Sequence, residues 1–79
     1  MIFIGLTIQL SQISNCSFDI IKNNNEIIYT ANIANVNKFI VNNLNILINL
    51  NDTVSVYCYG TNAFNPIINL YFAEFGGSQ

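Results

Sequence analysis

Period-two alternation of apolar and polar residues runs through most of this chain, in about seven short stretches separated by turn residues. Successive side chains on a strand point to opposite faces, so such alternation marks a sheet with one buried face. The clearest stretch is the first. Ile2, Ile4, Leu6, Ile8 and Leu10 fall on one face, and Phe3, Gly5, Thr7, Gln9 and Ser11 on the other. A second stretch sets Leu44, Ile46, Ile48 and Leu50 against Asn45, Leu47, Asn49 and Asn51. The expected strands cover residues 2–10, 16–22, 27–33, 38–41, 44–50, 53–59 and 67–75. No helix competes, because asparagine and β-branched residues fill the helical spacings of residues 33–50. The alternation therefore predicts an all-β domain, a small antiparallel β-sandwich. Its expected core is Ile2, Ile4, Leu6, Ile8, Leu10, Phe18, Ile20, Leu44, Ile46, Ile48, Val54, Val56 and Phe72.

Asparagine supplies the punctuation. Asn23-Asn24-Asn25-Glu26 reads as the turn of a hairpin and Asn51-Asp52 as a second turn, since asparagine tolerates positive φ and bonds its own backbone. The longest expected loop is residues 60–66. Residues 1–75 read as one domain, because 79 residues hold one core at most. Gly76 to Gln79 reads as a flexible tail.

Charge narrows the function classes. Hydrophobic residues make up 52% of the chain and charged residues 8%, with two cations, four anions and no histidine. Nucleic acid is not expected as a partner, because phosphate neutralisation needs clustered cations and only Lys22 and Lys38 exist. Membrane insertion is not expected either, because the apolar run from Met1 to Leu6 is far short of the roughly 20 residues a helical span needs. No signal peptide is recognised, since a basic leader is missing and Thr7 interrupts the apolar stretch.

Catalytic constellations are missing too. Without histidine there is no ordinary Ser-His-Asp or Cys-His pair. The carboxylates Asp19, Glu26, Asp52 and Glu74 fall on separate segments, so no glycosidase-type pair is expected. No cofactor or metal site is predicted, and Asp52 reads most simply as a turn residue. Cys16 and Cys58 could form one disulfide; the favoured reading is two reduced, buried thiols.

Four segments carry a resemblance to one family. Phe18 to Ile28 resembles a hairpin of the tumour-necrosis-factor and complement globular-head superfamily, in which a hydrophobic strand, a Lys-Asn-Gly type turn and a second strand follow one another. Leu47 to Val56 resembles that family's leucine-rich strand, Gly-Asp turn and Val-x-Val strand. Tyr71-Phe72-Ala73-Glu74-Phe75 is similar to its aromatic closing strand, and Gly5 through Gln9 to an altered form of its central strand. Asn24 and Asn51 stand where the family prefers glycine, and Glu74 replaces the closing-strand glycine. The family's first strands have no counterpart, so the resemblance implies a partial or reduced jelly roll. Val41 to Leu44 also resembles a segment of short jelly-roll subunits of spore appendages.

The resemblance implies a non-enzymatic structural protein. Relatives of this type cap phage fibres and collagen-like spore-surface fibres, so the expected place is a virion or an extracellular surface. The expected partner is the chain itself, in a homotrimer or an open filament. Tyr57 and Tyr59 share a face opposite Val54, Val56 and Cys58; with Tyr71 and Phe75 they are the candidate oligomer interface. One alternative is a host-attachment head binding a surface glycan or receptor, with Asn62, Phe64 and Asn65 as its contact loop. Another is a small phage-encoded inhibitor of a host protein.

Overall fold

The computed structural model describes residues 1–62 and 64–74. Among these, five antiparallel strands form one sheet: β1 (Ile2–Lys22), β2 (Glu26–Val41), β3 (Ile46–Leu47), β4 (Val54–Asn62) and β5 (Ile67–Ala73). Every strand pairs with β1. On one edge of β1 lie β2 and then β3; on the other lie β4 and then β5.

The sheet folds back on itself, as the lengths of its segments require. The backbone of Ile48 is hydrogen-bonded to Met1 at both its N–H (2.9 Å) and its C=O (3.1 Å), at the start of β1. Thr53 is bonded to Asn23, just past the end of β1, at 2.9 Å through its C=O and 3.0 Å through its N–H. A chain segment of this length spans at most about 18 Å. A straight 21-residue strand would separate the same two points by roughly 70 Å. β1 must therefore turn back.

It turns between Gln9 and Ser14, where its register with β2 breaks. All three lanes of the sheet cross this corner together. Asn35 of β2 takes a positive φ there (59°), and Asn65 does so between β4 and β5 (46°). Side chains bind the corner: Gln9 Nε2 donates to Asn37 O at 3.1 Å, and Asn15 Oδ1 accepts from Asn35 N–H at 3.0 Å. Ser11 N–H donates to Phe64 O at 2.9 Å, tying the third lane to the first.

Two leaves result. The first holds residues 2–10 of β1, the end of β2, β3 and β5. The second holds residues 14–22 of β1, the start of β2, and β4. Their inner faces share one core: Phe3, Leu6, Ile8 and Leu10 from the first leaf, and Cys16, Phe18, Ile20, Ala31 and Ile33 from the second, closed by Ile48. The outer faces point away from one another.

Seven expected strands become five because asparagine does not always stop a strand. Residues 11–15 stay extended and join the first two expected strands into β1. Residues 34–37 likewise carry the third into the fourth as β2. The expected fifth strand shrinks to β3. Leu50, expected on its core face, sits 97% exposed at a turn tip. Asn23 and Asn24, both at positive φ, do form the predicted hairpin turn. Expected strand residue Phe75 and the expected tail, Gly76 to Gln79, lie outside the described residues.

Two β-bulges change which residues are inside. Phe3 pairs with Phe72 and Gly5 with Tyr71, so Ile4 is an extra residue that flips the parity of β1. Phe3 is thereby fully buried beside Leu6, while Ile2 and Ile4, both expected in the core, are half-buried. Ile20 pairs with Tyr29 and Ile21 with Ile27, so Ile28 is extra and Ile27 turns outward. Val56 and Phe72 were also expected to be buried. They face inward but stay partly exposed, because β4 and β5 are edge strands with no further strand beyond them among the described residues.

Candidate interaction surface

The outer face of the second leaf carries a row of polar groups flanked by aromatics. Ser17, Asp19 and Ile21 of β1 lie along its centre. Opposite them on β4 stand Tyr59, Tyr57 and Ser55; opposite Ser17 and Asp19 on β2 stand Asn32 and Thr30. Alternation puts Tyr57 and Tyr59 two residues apart on one face, and their exposed rings stack with centroids 6.0 Å apart and planes 26° apart. Ser17 Oγ donates to Asn32 Oδ1 at 2.8 Å, and Thr30 Oγ1 donates to Asp19 Oδ1 at 2.8 Å.

Asp19 is the unusual member. It faces outward yet is only 8% exposed, and among the described residues no cation pairs with it. The salt bridges that form gather elsewhere: Lys22 Nζ lies 3.5 Å from Glu26 and 4.0 Å from Asp52. Asp52 serves the turn it was read into. It accepts from Asn23 Nδ2 and from Asn49 N–H, each at 2.8 Å. Those bonds and Lys22 hold its carboxyl below the usual carboxylate range, with the Asn23 bond the largest cause.

The outer face of the first leaf is different. Gly5, Thr7 and Gln9 run along its centre, with Tyr71, Asn69 and Ile67 on the β5 side and Ile40 and Lys38 on the β2 side. A depression of about 350 Å³ opens over Gly5, lined by Ile4, Thr7, Ile40, Val41, Asn42 and Tyr71. Gly5 makes room for it and for the chain leaving β2: a Cβ there would stand 2.3 Å from Val41 O. Ile40, Ile67 and Tyr71 are exposed around the depression.

Tyr57 and Tyr59 therefore form one patch, whereas Tyr71 belongs to the other leaf; Phe75 lies outside the described residues. Asn62, expected in a loop, is the last residue of β4, so the loop is shorter than predicted. Phe64 and Asn65 pack back on the corner, where Ser11 Oγ donates to Phe64 O at 3.3 Å and Asn65 Nδ2 to Ser11 Oγ at 3.4 Å. Asp19 and Thr30 were missed as surface partners. Only pairing across β1 and β2 could place them side by side.

The two cysteines are free. Cys16 faces the core opposite Gly60, and Cys58 is its diagonal neighbour opposite Phe18. Burial, and then the Cys58 thiol beside it, push the Cys16 thiol upward. Cys58 was expected to be buried but is exposed, because edge strand β4 leaves its inward side chains at the rim of the core. Gly60 is needed there: it takes φ 120°, and a Cβ on it would meet Cys16 Cα at 2.8 Å.

Comparison with known proteins finds no matching family model, curated protein or solved structure. Among the described residues no group of His, Cys, Asp and Glu is arranged to hold a metal ion, and no helix is long and apolar enough to cross a membrane.

Proposed function

We propose that this chain is a non-enzymatic, self-assembling subunit of a virion fibre or a cell- or spore-surface appendage. The supporting observation is the unmet surface of the folded sheet. Tyr57, Tyr59, Ile40, Ile67 and Tyr71 are exposed on its two outer faces. Among the described residues β2, β4 and β5 pair with β1 alone, so each leaves an outer edge of backbone groups free. Free edges and large apolar faces both favour another chain over water. Six charged side chains give little repulsion against association. On this reading the fold is a reduced jelly roll, and its closed form is a homotrimer. Light scattering on a size-exclusion column measures the native mass. A multiple of the 8.8 kDa chain is expected, and a monomer across the micromolar range refutes the reading.

A second reading has its own observation. Stacked Tyr57 and Tyr59 beside Asp19 and the Ser17–Asn32 pair offer an aromatic platform with polar groups at its edge, suited to a surface glycan. In that case the chain is an attachment head. A glycan array would show binding that Tyr57→Ala removes, and an array without signal refutes it.

A further inference from the structure

Resting on the self-assembly reading, we propose that a second copy of this chain seats its Lys38 face on the Asp19–Tyr57–Tyr59 face, with the Lys38 ammonium reaching the Asp19 carboxylate. The contact is heterologous, first leaf to second leaf.

Charge complementarity selects this occupant. The chain has six charged side chains. Lys22, Glu26 and Asp52 satisfy one another. Lys38 is the one lysine without an ion pair among the described residues, and Asp19 is the most buried carboxylate without one. Asp19 takes one hydrogen bond, from Thr30, and no countercharge among the described residues, so its carboxylate has capacity left for a cation. Among the described residues no fully buried side-chain oxygen lacks a hydrogen bond. Asp19 Oδ2, to which no such bond is made among the described residues, is therefore open to the surface. Opposite Asp19 on β4 stands Tyr57, stacked on Tyr59, and tyrosine faces attract a cation.

Lys38 stands on a surface that fits the rest of the patch. It lies opposite Gln9 on the outer face of the first leaf, two residues from exposed Ile40 and on the same face as the depression over Gly5. Docking would set an apolar rim against the tyrosines and a cation against the carboxylate. Because the two outer faces point apart, no copy can satisfy both of its faces with one partner. Each added subunit leaves one Lys38 face and one Asp19 face free. Such contacts close into a ring or continue as an open filament.

The test measures self-association of native protein, Lys38→Glu and Asp19→Asn by light scattering across a concentration series, at low and high salt. Asp19→Asn can keep the Thr30 bond while losing the charge, and circular dichroism checks that it folds. Lys38 is exposed, so Lys38→Glu tests the contact without relying on a buried change. Each variant should associate roughly ten-fold more weakly than native, and Lys38→Glu by more, since it sets two carboxylates together. Native association should also weaken with salt. If the native protein assembles while Lys38→Glu keeps its mass and salt has no effect, the contact is overturned and self-assembly stands. If the native protein is monomeric, both fall.

Discussion

Truncating Phe3 to alanine should destabilise the fold far more than truncating its neighbour Ile4. Phe3 is fully buried among both leaves, with its ring 5.4 Å from that of Phe72. Removing a buried phenylalanine ring costs about 3–5 kcal/mol, as lost transfer energy plus the cavity left behind. The lower end applies here, because Phe72 is partly exposed and can settle into the space. A chain of 79 residues has a total stability of roughly 4–12 kcal/mol, so about 3 kcal/mol is a quarter to three quarters of it. The melting point should fall by roughly 12–24 °C. Ile4 is half-buried at the bulge, so Ile4→Ala should cost about 1–2 kcal/mol. Equilibrium urea unfolding followed by circular dichroism reads both values. Protein concentration must be held fixed, since association adds to apparent stability. Strict alternation from Ile2 to Leu10 predicts the reverse order. If Ile4→Ala costs as much as Phe3→Ala, the bulge at Ile4 and the inner face built on it are wrong.

Gly5→Ala should cost at least about 2 kcal/mol in the same assay, because its Cβ would meet the backbone at Val41 O (2.3 Å) and Asn42 Cα (2.9 Å); a change below about 0.5 kcal/mol would show that the chain leaving β2 does not pass there. Asp52 has a folded pKa below its ordinary 3.8, so its contribution to stability is present above that value and is lost as pH falls through the folded pKa. Asp52→Asn should flatten this acid loss, and identical acid unfolding curves for variant and native protein would remove Asp52 from the turn's support. Cys58 should react with a thiol reagent in the native protein while Cys16 reacts only on unfolding, as mass spectrometry of the labelled chain would show; equal labelling would contradict the burial of Cys16. The folded pKa of Cys16 is raised above 9.0, so its contribution is full below that value and is lost as pH rises through the folded pKa. Cys16→Ala should therefore reduce the alkaline loss of stability, and an unchanged alkaline limb would refute this.

The residues by themselves determined the class of structure and several of its local devices. Alternation requires strands, and asparagine at positions 23 and 24 accepts the positive φ that the hairpin turn needs. Asp52 was legible as a turn residue because Asn51-Asp52 is local turn chemistry, and its carboxylate does accept from the backbone N–H of Asn49 three residues before it; the bond from Asn23, 29 residues away, was not legible. The stacked pair Tyr57 and Tyr59 was visible in the two-residue period of β4. Bulges were not legible. Ile4 and Ile28 look like any other apolar strand residue, and only pairing with β5 and β1 shows which one is extra. Nor was the corner, since residues 10–14 stay extended and the bend is made jointly by three lanes of chain. That bend decides the surface. It separates Tyr71 from Tyr57 and Tyr59, and sheet pairing brings Asp19 between Thr30 and Tyr57. Residues far apart in the chain come together only when a shared core makes folding over the leaves favourable, and no local pattern encodes that.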